Sequence, residues 1–256
     1  MEKSNREKAS ELLKAIETGA HEPIAYINAE KYIQHNQNVA DGLAGFGAIL
    51  QMLPSGSAKV KTVRLLQDGD YVIAHTDYNF FGPKIGFDIF KFENGKIVEH
   101  WDNLQEKVET TVSGRTMVDG KVKITDLSLT ETNRKLVTNM LNDVFLGAAP
   151  EKITEYISTE KYIQHNPGVK DGLAGLSEAL QQLVEAGMPM VYKKVHKVFA
   201  EGNFVMSVSE GVFLKKEVAF YDLFRVENGK VVEHWDVVEN LIPDSEAKNG
   251  NGKFNF

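Results

Sequence analysis

The sequence consists of two tandem copies of one domain, since long segments recur once after a nearly constant interval. EKYIQHN occupies residues 30–36 and returns unchanged at residues 160–166, 130 residues later. Near the end of each copy, VEHWD occupies residues 98–102 and returns at residues 232–236. This interval has the length of a domain, whereas the repeats of solenoid proteins run to about 20–50 residues. The residues that both copies keep are therefore those that a shared ancestor needed for folding or for chemistry.

Length and composition fit two ordinary globular domains, which we place at residues 1–125 and 126–256. The net charge of −7, without any block of Lys and Arg, argues against a nucleic-acid partner. The absence of cysteine excludes disulfides and thiolate chemistry. The amino-terminal segment is charged, and no run approaches the ~18 apolar residues of a membrane span. We therefore expect a cytoplasmic protein without a membrane partner.

The hydrophobic pattern of each repeat predicts helices first and an antiparallel sheet second. A helical period covers residues 4–18 and 42–53, and alternation then predicts strands over residues 59–66, 71–80, 85–92 and 97–104. The second repeat has the same order, with helices near 131–147, 150–157 and 172–186 and strands near 190–199, 203–214, 217–226 and 231–241. This order predicts an α+β fold with helices packed on one face of a curled sheet.

Two connecting segments have no periodic pattern. Residues 106–127 are rich in Thr, Ser, Gly and charge, which predicts an irregular linker between the repeats. The tail after Pro243 is polar, and we expect it to be loose unless Phe254 or Phe256 anchors it.

The VEHWD strand is the first candidate site. Alternate side chains of a strand face opposite ways, so His100 and Asp102 share one face and Trp101 takes the other. The second copy places His234 and Asp236 in the same relation. Such a pair exchanges protons if the helices enclose it in an apolar cavity, but it also suits a polar strand end that fixes the sheet. Both interpretations stay open.

Two carboxylates and two further histidines join this candidate set. Asp88 and Asp222 interrupt the apolar strands GFDIF and FYDLF, where burial is costly unless the carboxylate is paired or protonated. Each either orients the nearby His or joins it in proton transfer, or it only accepts hydrogen bonds from a neighbouring strand or from the His. His35 and His165 end the YIQH segments, where a role in a site and structural hydrogen bonding are both open.

His75 distinguishes the two repeats, because its counterpart is Val208. We therefore expect the first repeat to have the more polar site and, if only one repeat is active, to be the active one. No compact ligand spacing such as His-x-x-x-His occurs, so no metal is predicted. Trp101 and Trp235 present large aromatic surfaces that we expect at an interface between the repeats.

The order of helices, YIQHN, helix and meander, closed by ENGKIVEHWD, resembles the SnoaL-like branch of the nuclear-transport-factor-2-like superfamily. The resemblance implies a cone-shaped α+β barrel that pairs sheet to sheet, so two tandem copies imply a pseudo-dimer within one chain. It also implies aldol-type cyclisation without metal or cofactor, with Asp102 and Asp236 as the general acid/base. The position on the preceding strand where the family has a His falls here on Asp88 and Asp222.

These observations predict cofactor-free acid–base chemistry, of the aldol cyclase or isomerase type, on a small apolar carbonyl compound. Asp102 would take a proton from the carbon next to the carbonyl, while His100, His35 and His75 would polarise the oxygen or set the pKa of the carboxyl group. The alternative is a binding module for a hydrophobic small molecule. A third class is a structural protein whose cavities are filled by side chains.

Overall fold

A computed structural model describes residues 2–256 and divides them into two compact units. One unit contains the chain up to Lys107 together with Ile242–Phe256, and the other contains Val108–Leu241. The segment that follows the first repeat thus groups with the second sheet, and the carboxyl-terminal tail groups with the first. The repeat boundary at residue 125 stays a prediction about the duplicated segments. No helix among the described residues has the length and apolar character needed to cross a membrane.

The elements confirm the predicted order of helices and strands in both repeats. In the first repeat they are α1 Asn5–Thr18, β1 Ile33–Gln34, α2 Gly42–Met52, β2 Lys59–Asp68, β3 Tyr71–Asn79, β4 Pro83–Glu93 and β5 Lys96–Glu106. In the second they are α3 Thr130–Met140, α4 Ile153–Tyr156, β6 Ile163–Gln164, α5 Gly172–Glu185, β7 Val191–Glu201, β8 Phe204–Phe213, β9 Lys216–Glu227 and β10 Lys230–Asn240. The two-residue strands β1 and β6 lie inside the YIQHN segments and were not predicted.

Both sheets have the same topology. Their strand orders are β1-β5-β4-β3-β2 and β6-β10-β9-β8-β7. The short strands β1 and β6 pair in parallel with β5 and β10, and the four long strands form an antiparallel meander. The turns Asn94-Gly95 and Asn228-Gly229 have positive φ at both residues, as a tight hairpin requires. The α+β prediction is confirmed.

Helices cover one face of each sheet, which we call the inner face. Helix α1 begins at Ser4, whose side chain caps the backbone N–H of Glu7, and it ends at Gly19 in the left-handed region. Its apolar side buries Leu12 and Leu13 in a cluster with side chains of β3 and β4. In the second unit the first helix and the turn after it bury Val137, Met140 and Leu141 in a cluster with side chains of β8 and β9. This burial is what encloses the space above the VEHWD strands.

The opposite face, here the outer face, carries the tryptophans and is covered by the irregular segments. The indole N–H of Trp101 donates to the carbonyl oxygen of Asn255 at 2.9 Å, and Phe256 stacks on the indole at 4.6 Å. In the other unit the indole N–H of Trp235 donates to the carbonyl oxygen of Asp119 at 2.9 Å. Phe256 therefore anchors the tail, which is the alternative to a loose tail that the sequence analysis left open. Pairing of the two repeats through their tryptophans stays a prediction.

Candidate functional site

Each unit has a cavity between its helices and the inner face of its sheet. The cavity of the first unit has a volume of about 60 Å³, and that of the second about 240 Å³. The walls are apolar except along one side, where β5 or β10 and the YIQHN segment run side by side. The polar side chains of the first cavity are Gln34, Asn36, Tyr78, Asp88, His100 and Asp102.

His100 lies at the centre of a hydrogen-bond network in the first cavity. Its Nε2 lies 3.2 Å from Oδ1 of Asp88, and its Nδ1 lies 3.2 Å from Oε1 of Gln34. The hydroxyl of Tyr78 donates to Oδ2 of Asp88 at 2.6 Å. All four side chains are buried. The network fixes the imidazole ring beside the carboxylates.

Gln34 determines where one imidazole proton lies. Its Oε1 accepts the backbone N–H of Asn36 at 2.9 Å, so the oxygen end of the amide faces His100. Because an amide oxygen only accepts, Nδ1 of His100 must carry a hydrogen. Nε2 and Asp88 then share one further proton: the pair is an imidazolium with a carboxylate or a neutral imidazole with a carboxylic acid.

Asp102 lies beside this network and is only half satisfied. The side-chain amide of Asn36 donates to its Oδ2 at 2.9 Å. Its Oδ1 is buried and has no hydrogen-bond partner, and the residue is 7% exposed. A buried carboxylate oxygen without a donor is costly, and a role in a functional site is one explanation for such a group. This oxygen belongs to a cavity-lining side chain and is free to accept a proton or a donor from a bound molecule.

The second cavity repeats this arrangement. Nε2 of His234 lies 3.0 Å from Oδ1 of Asp222, and its Nδ1 lies 2.9 Å from Oε1 of Gln164. Asn166 donates to Oδ2 of Asp236 at 2.6 Å, whereas Oδ1 of Asp236 is buried without a partner. Two copies of one sequence have therefore kept the same unsatisfied oxygen.

Burial changes the protonation of these groups. It raises the pKa of Asp88 and of Asp236 above the ordinary value of a carboxyl group. For His234, burial alone would lower the pKa, but the hydrogen bond that Nε2 donates to Asp222 and the charges of Asp236 and Asp222 outweigh burial and raise the pKa. The second cavity thus favours a cationic imidazole between two carboxyl groups.

The structure places His35 and His165 away from the cavities, which corrects their expected role. His35 stacks on Trp101 at 4.2 Å, and its Nδ1 donates to the carbonyl oxygen of Gly252 at 2.8 Å. His165 stacks on Trp235 at 4.7 Å in the other unit. Because β1 and β6 are strands, the His of YIQHN points to the outer face and its neighbours Gln and Asn point inward.

His75 also lies on the outer face, so it does not polarise a substrate in the cavity. Its ring stacks on Phe87 at 4.3 Å, and Nη1 of Arg64 donates to its Nδ1 at 3.1 Å. The neighbouring Ala74 is the residue that pairs with Asp88. His75 therefore gives no reason to expect a more polar site in the first repeat, and which repeat is active stays a prediction.

Four cavity residues of each repeat were missed by the sequence analysis. They are Tyr32, Gln34, Asn36 and Tyr78 in the first cavity and Tyr162, Gln164, Asn166 and Tyr192 in the second. The alternation argument that was applied to VEHWD would have found the Gln and Asn if YIQHN had been recognised as a strand. Tyr32 and Tyr162 begin the repeated YIQHN segments, whereas Tyr78 and Tyr192 gave no signal because their positions in the two repeats do not correspond.

The Asp-His-Asp sets are compact enough to hold a metal ion, since one ligand atom from each residue lies within 4.8 Å of the others in both units. Both nitrogens of each imidazole are, however, already committed to the neighbouring Gln and Asp. A metal bound to Nε2 would have to replace the bond to Asp88 or Asp222. The donor set therefore suits proton sharing, and the absence of a metal stays a prediction.

Helix side chains explain why the cavities differ in size. Phe46 and Ile49 of α2 line the first cavity, and the corresponding Leu176 and Ala179 of α5 line the second. Phe46, together with Leu12 and Ile16 of α1, also lines a neighbouring groove of about 700 Å³. The larger side chains fill space above the first network that stays empty above the second.

Comparison with known proteins identifies the second repeat. Residues 135–243 match the family of SnoaL-like polyketide cyclases. An NTF2-like protein of unknown function from Cytophaga hutchinsonii is similar in structure at 14% identity, covering 41% of this chain and 93% of its own, with a TM-score of 0.37. A protein of unknown function with a cystatin-like fold from Xanthomonas campestris is similar at 21% identity, covering 42% and 91%, with a TM-score of 0.37. No curated protein matches the sequence.

Proposed function

We propose that this chain, whose second repeat is a SnoaL-like domain, performs cofactor-free acid–base chemistry on a small, largely apolar carbonyl compound, and that the second cavity is where it acts. Both the enzyme class and the substrate class are proposals, since the family alone does not choose among chemistries. The reaction is of the aldol cyclase or isomerase type.

The observation that carries this proposal is the unsatisfied oxygen of Asp236. Oδ1 is buried in a cavity of about 240 Å³ whose other walls include Phe145, Met190 and Phe213. An apolar cavity of roughly 150 Å³ is large enough to bind benzene. The second cavity therefore has room for a ring compound, whereas the first, at about 60 Å³, does not.

The proposed reaction begins with proton transfer to Asp236. Oδ1 takes the proton from the carbon next to the carbonyl group, and the electrons of that C–H bond form an enolate. Asn166 holds the other oxygen of the carboxylate, and the cationic imidazole of His234 stabilises the negative charge of the enolate. Asp236 then returns the proton to another carbon of the conjugated enolate, or the enolate carbon attacks a second carbonyl group whose oxygen takes the proton from Asp236. The raised pKa of Asp236 makes its carboxylate a stronger base than an ordinary one.

The alternative is that the same cavity only binds a hydrophobic molecule. The apolar walls support this interpretation, because the network then serves to orient a ligand by hydrogen bonding to Asp236. Binding without proton transfer distinguishes it from the catalytic proposal.

Hydrogen–deuterium exchange tests the proposal without knowledge of the natural substrate. The probe is 2-tetralone in D₂O, and proton NMR follows loss of the signals next to its carbonyl group. We expect Asp236→Asn to slow the catalysed exchange by about 100-fold or more, as general acid–base catalysis contributes roughly 10²–10⁴. Asp244→Asn, which changes an exposed carboxylate of the tail, is the matched control. Equal rates for Asp236→Asn and wild type would overturn the proposal, and bound 2-tetralone without exchange would favour the binding module.

A further inference from the structure

The two repeats make the same hydrogen bond to their central Asp from different strands. In the first repeat the hydroxyl of Tyr78, on β3, donates to Asp88 at 2.6 Å. In the second the hydroxyl of Tyr192, on β7, lies 3.1 Å from both carboxylate oxygens of Asp222. Strand β7 corresponds to β2, so the phenol comes from a neighbouring strand.

The strand registers prove that the tyrosines are not counterparts. Ala74 pairs with Asp88 just as Ser207 pairs with Asp222, which aligns β3 with β8. Four residues further along, Tyr78 therefore corresponds to Gly211. Tyr78 pairs with Val60, and Gly211 pairs with Tyr192, so Val60 corresponds to Tyr192.

In each repeat a glycine leaves room for the aromatic rings around the tyrosine. A Cβ atom at Gly86 would lie 3.2 Å from the ring of Tyr78 and 2.5 Å from Cδ2 of Leu104. The counterpart of Gly86 is Phe220, which instead stacks on Tyr192 at 4.3 Å. A Cβ atom at Gly211 would lie 2.8 Å from the ring of Phe220. Three positions have changed together, while the contact between the phenol and the carboxylate has stayed.

We propose that Tyr78 and Tyr192 are positioning residues that keep the shared proton on the imidazole of His100 and His234 rather than on Asp88 and Asp222. This inference rests on the proposed acid–base function and specifies how its network is set. Packing alone does not account for the exchange, because the rings lie on different strands and pack against different aromatic side chains, yet both hydroxyls reach the carboxylate. A phenol that donates to the carboxylate stabilises the charged form of that group. The imidazolium that results faces the enolate.

The environment of His234 makes the location of this proton measurable. The titratable groups that face it are Asp222 and Asp236 on the sheet and the phenols Tyr162 and Tyr192. Burial raises the pKa of both phenols above their ordinary value, so they stay protonated and act only as neutral hydrogen-bonding groups. The proton is therefore divided between His234 and the two carboxyl groups.

The first experiment is ¹⁵N NMR of the His234 ring in Tyr192→Phe. We expect the Nε2 resonance to move from the value of a protonated nitrogen towards that of an unprotonated one, and the exchange of 2-tetralone to slow about tenfold. Tyr221→Phe removes a buried phenol from the outer face of the same sheet and should leave the resonance unchanged. A wild-type Nε2 resonance in Tyr192→Phe would overturn the inference. Because this signal does not depend on turnover, failure of wild-type exchange would count against the proposed function alone.

The second experiment moves the phenol within the first repeat. Tyr78→Phe should shift the Nε2 resonance of His100 in the same direction. Val60→Tyr with Tyr78→Gly copies the arrangement of the second repeat, and we expect it to restore the wild-type resonance. The reverse change is not feasible, because a Cβ atom at Gly211 would lie 2.0 Å from the carbonyl oxygen of Val191. If the double variant folds and its resonance stays that of Tyr78→Phe, the phenol has only a packing role.

Discussion

The two repeats have nearly the same polar network but very different space above it. His100 with Asp88 and Asp102 makes the same contacts as His234 with Asp222 and Asp236, except that the phenol comes from a different strand. The cavity volumes nevertheless differ, since the first is about 60 Å³ and the second about 240 Å³. The sheet supplies the acid–base groups and the helices supply the room for a ligand, so duplication allowed the two properties to separate. The second repeat has both, whereas the first has kept the network in a nearly filled core.

The largest effect that tests this comparison is the loss of the carboxylate with an unsatisfied oxygen, which is Asp236 in the second repeat and Asp102 in the first. We expect Asp236→Asn to lower exchange of 2-tetralone by about 100-fold or more, since it removes the base. Asp102→Asn should change the rate by less than about twofold, because the first cavity has no room for the ring. Equal losses in the two variants would show that the repeats share the activity.

The next effect concerns the helix side chains. Leu176→Phe with Ala179→Ile gives the second cavity the residues of the first, and we expect binding of 2-tetralone to weaken about tenfold or more because the ligand volume is filled. Calorimetric titration measures this change. The reciprocal variant, Phe46→Leu with Ile49→Ala, is the matched control and should gain a second binding site. Unchanged affinity in the filled variant would place the ligand elsewhere.

A smaller effect is the dependence of stability on pH. Burial raises the folded pKa of Asp88 and Asp236 above the usual value near 3.8, and the pKa of His234 is raised above 6.5. A group that binds its proton more tightly in the folded state stabilises below its unfolded pKa, and this stability is lost as pH rises through the folded pKa. The contribution of these groups to the free energy of unfolding should thus fall above about pH 4, by up to about 1.4 kcal/mol per pH unit for each group.

Urea unfolding at a series of pH values measures this slope. In Asp236→Asn, the free energy of unfolding should fall less steeply with pH, because the contribution of Asp236 is removed. Asp244→Asn should give the same slope as the wild type. Parallel curves for Asp236→Asn and wild type would mean that burial does not perturb this carboxyl group.

The smallest effect on activity is expected from His75→Val, which introduces the residue that the second repeat has at the corresponding position, Val208. The rate of exchange should not change, because His75 lies on the outer face. The free energy of unfolding should fall by about 1–3 kcal/mol, since the buried Arg64 loses a hydrogen-bond acceptor. A change in the rate of exchange without a change in the free energy of unfolding would show that His75 contributes to the site.

The sequence was informative where strand alternation governs the structure. It predicted the α+β fold and placed His100 and Asp102 together on the face away from Trp101. It failed for His35 because a two-residue strand is too short to show a period, and its direction depends on pairing with β5. It failed for the cavity volumes because these depend on how Phe46 and Leu176 fill three-dimensional space.

The covering segments were missed for a similar reason. Residues 114–120 (GRTMVDG) and 250–256 (GNGKFNF) make corresponding contacts in the two units, with Arg115 on Asp171 and Asn251 on Asp41. They share only their first residue in sequence. Most of these contacts come from backbone carbonyl groups, such as those of Asp119 and Asn255, which leave no side-chain pattern.

The most direct test of the comparison is to open the first cavity in a chain whose second site is inactive. The measurement is the rate of 2-tetralone exchange in Asp236→Asn with and without the pair Phe46→Leu and Ile49→Ala. If the two networks are equivalent and only space separates them, the opened variant should recover at least about tenfold in rate, and Asp102→Asn should abolish that recovery. An opened first repeat that binds 2-tetralone and gives no exchange would contradict the account.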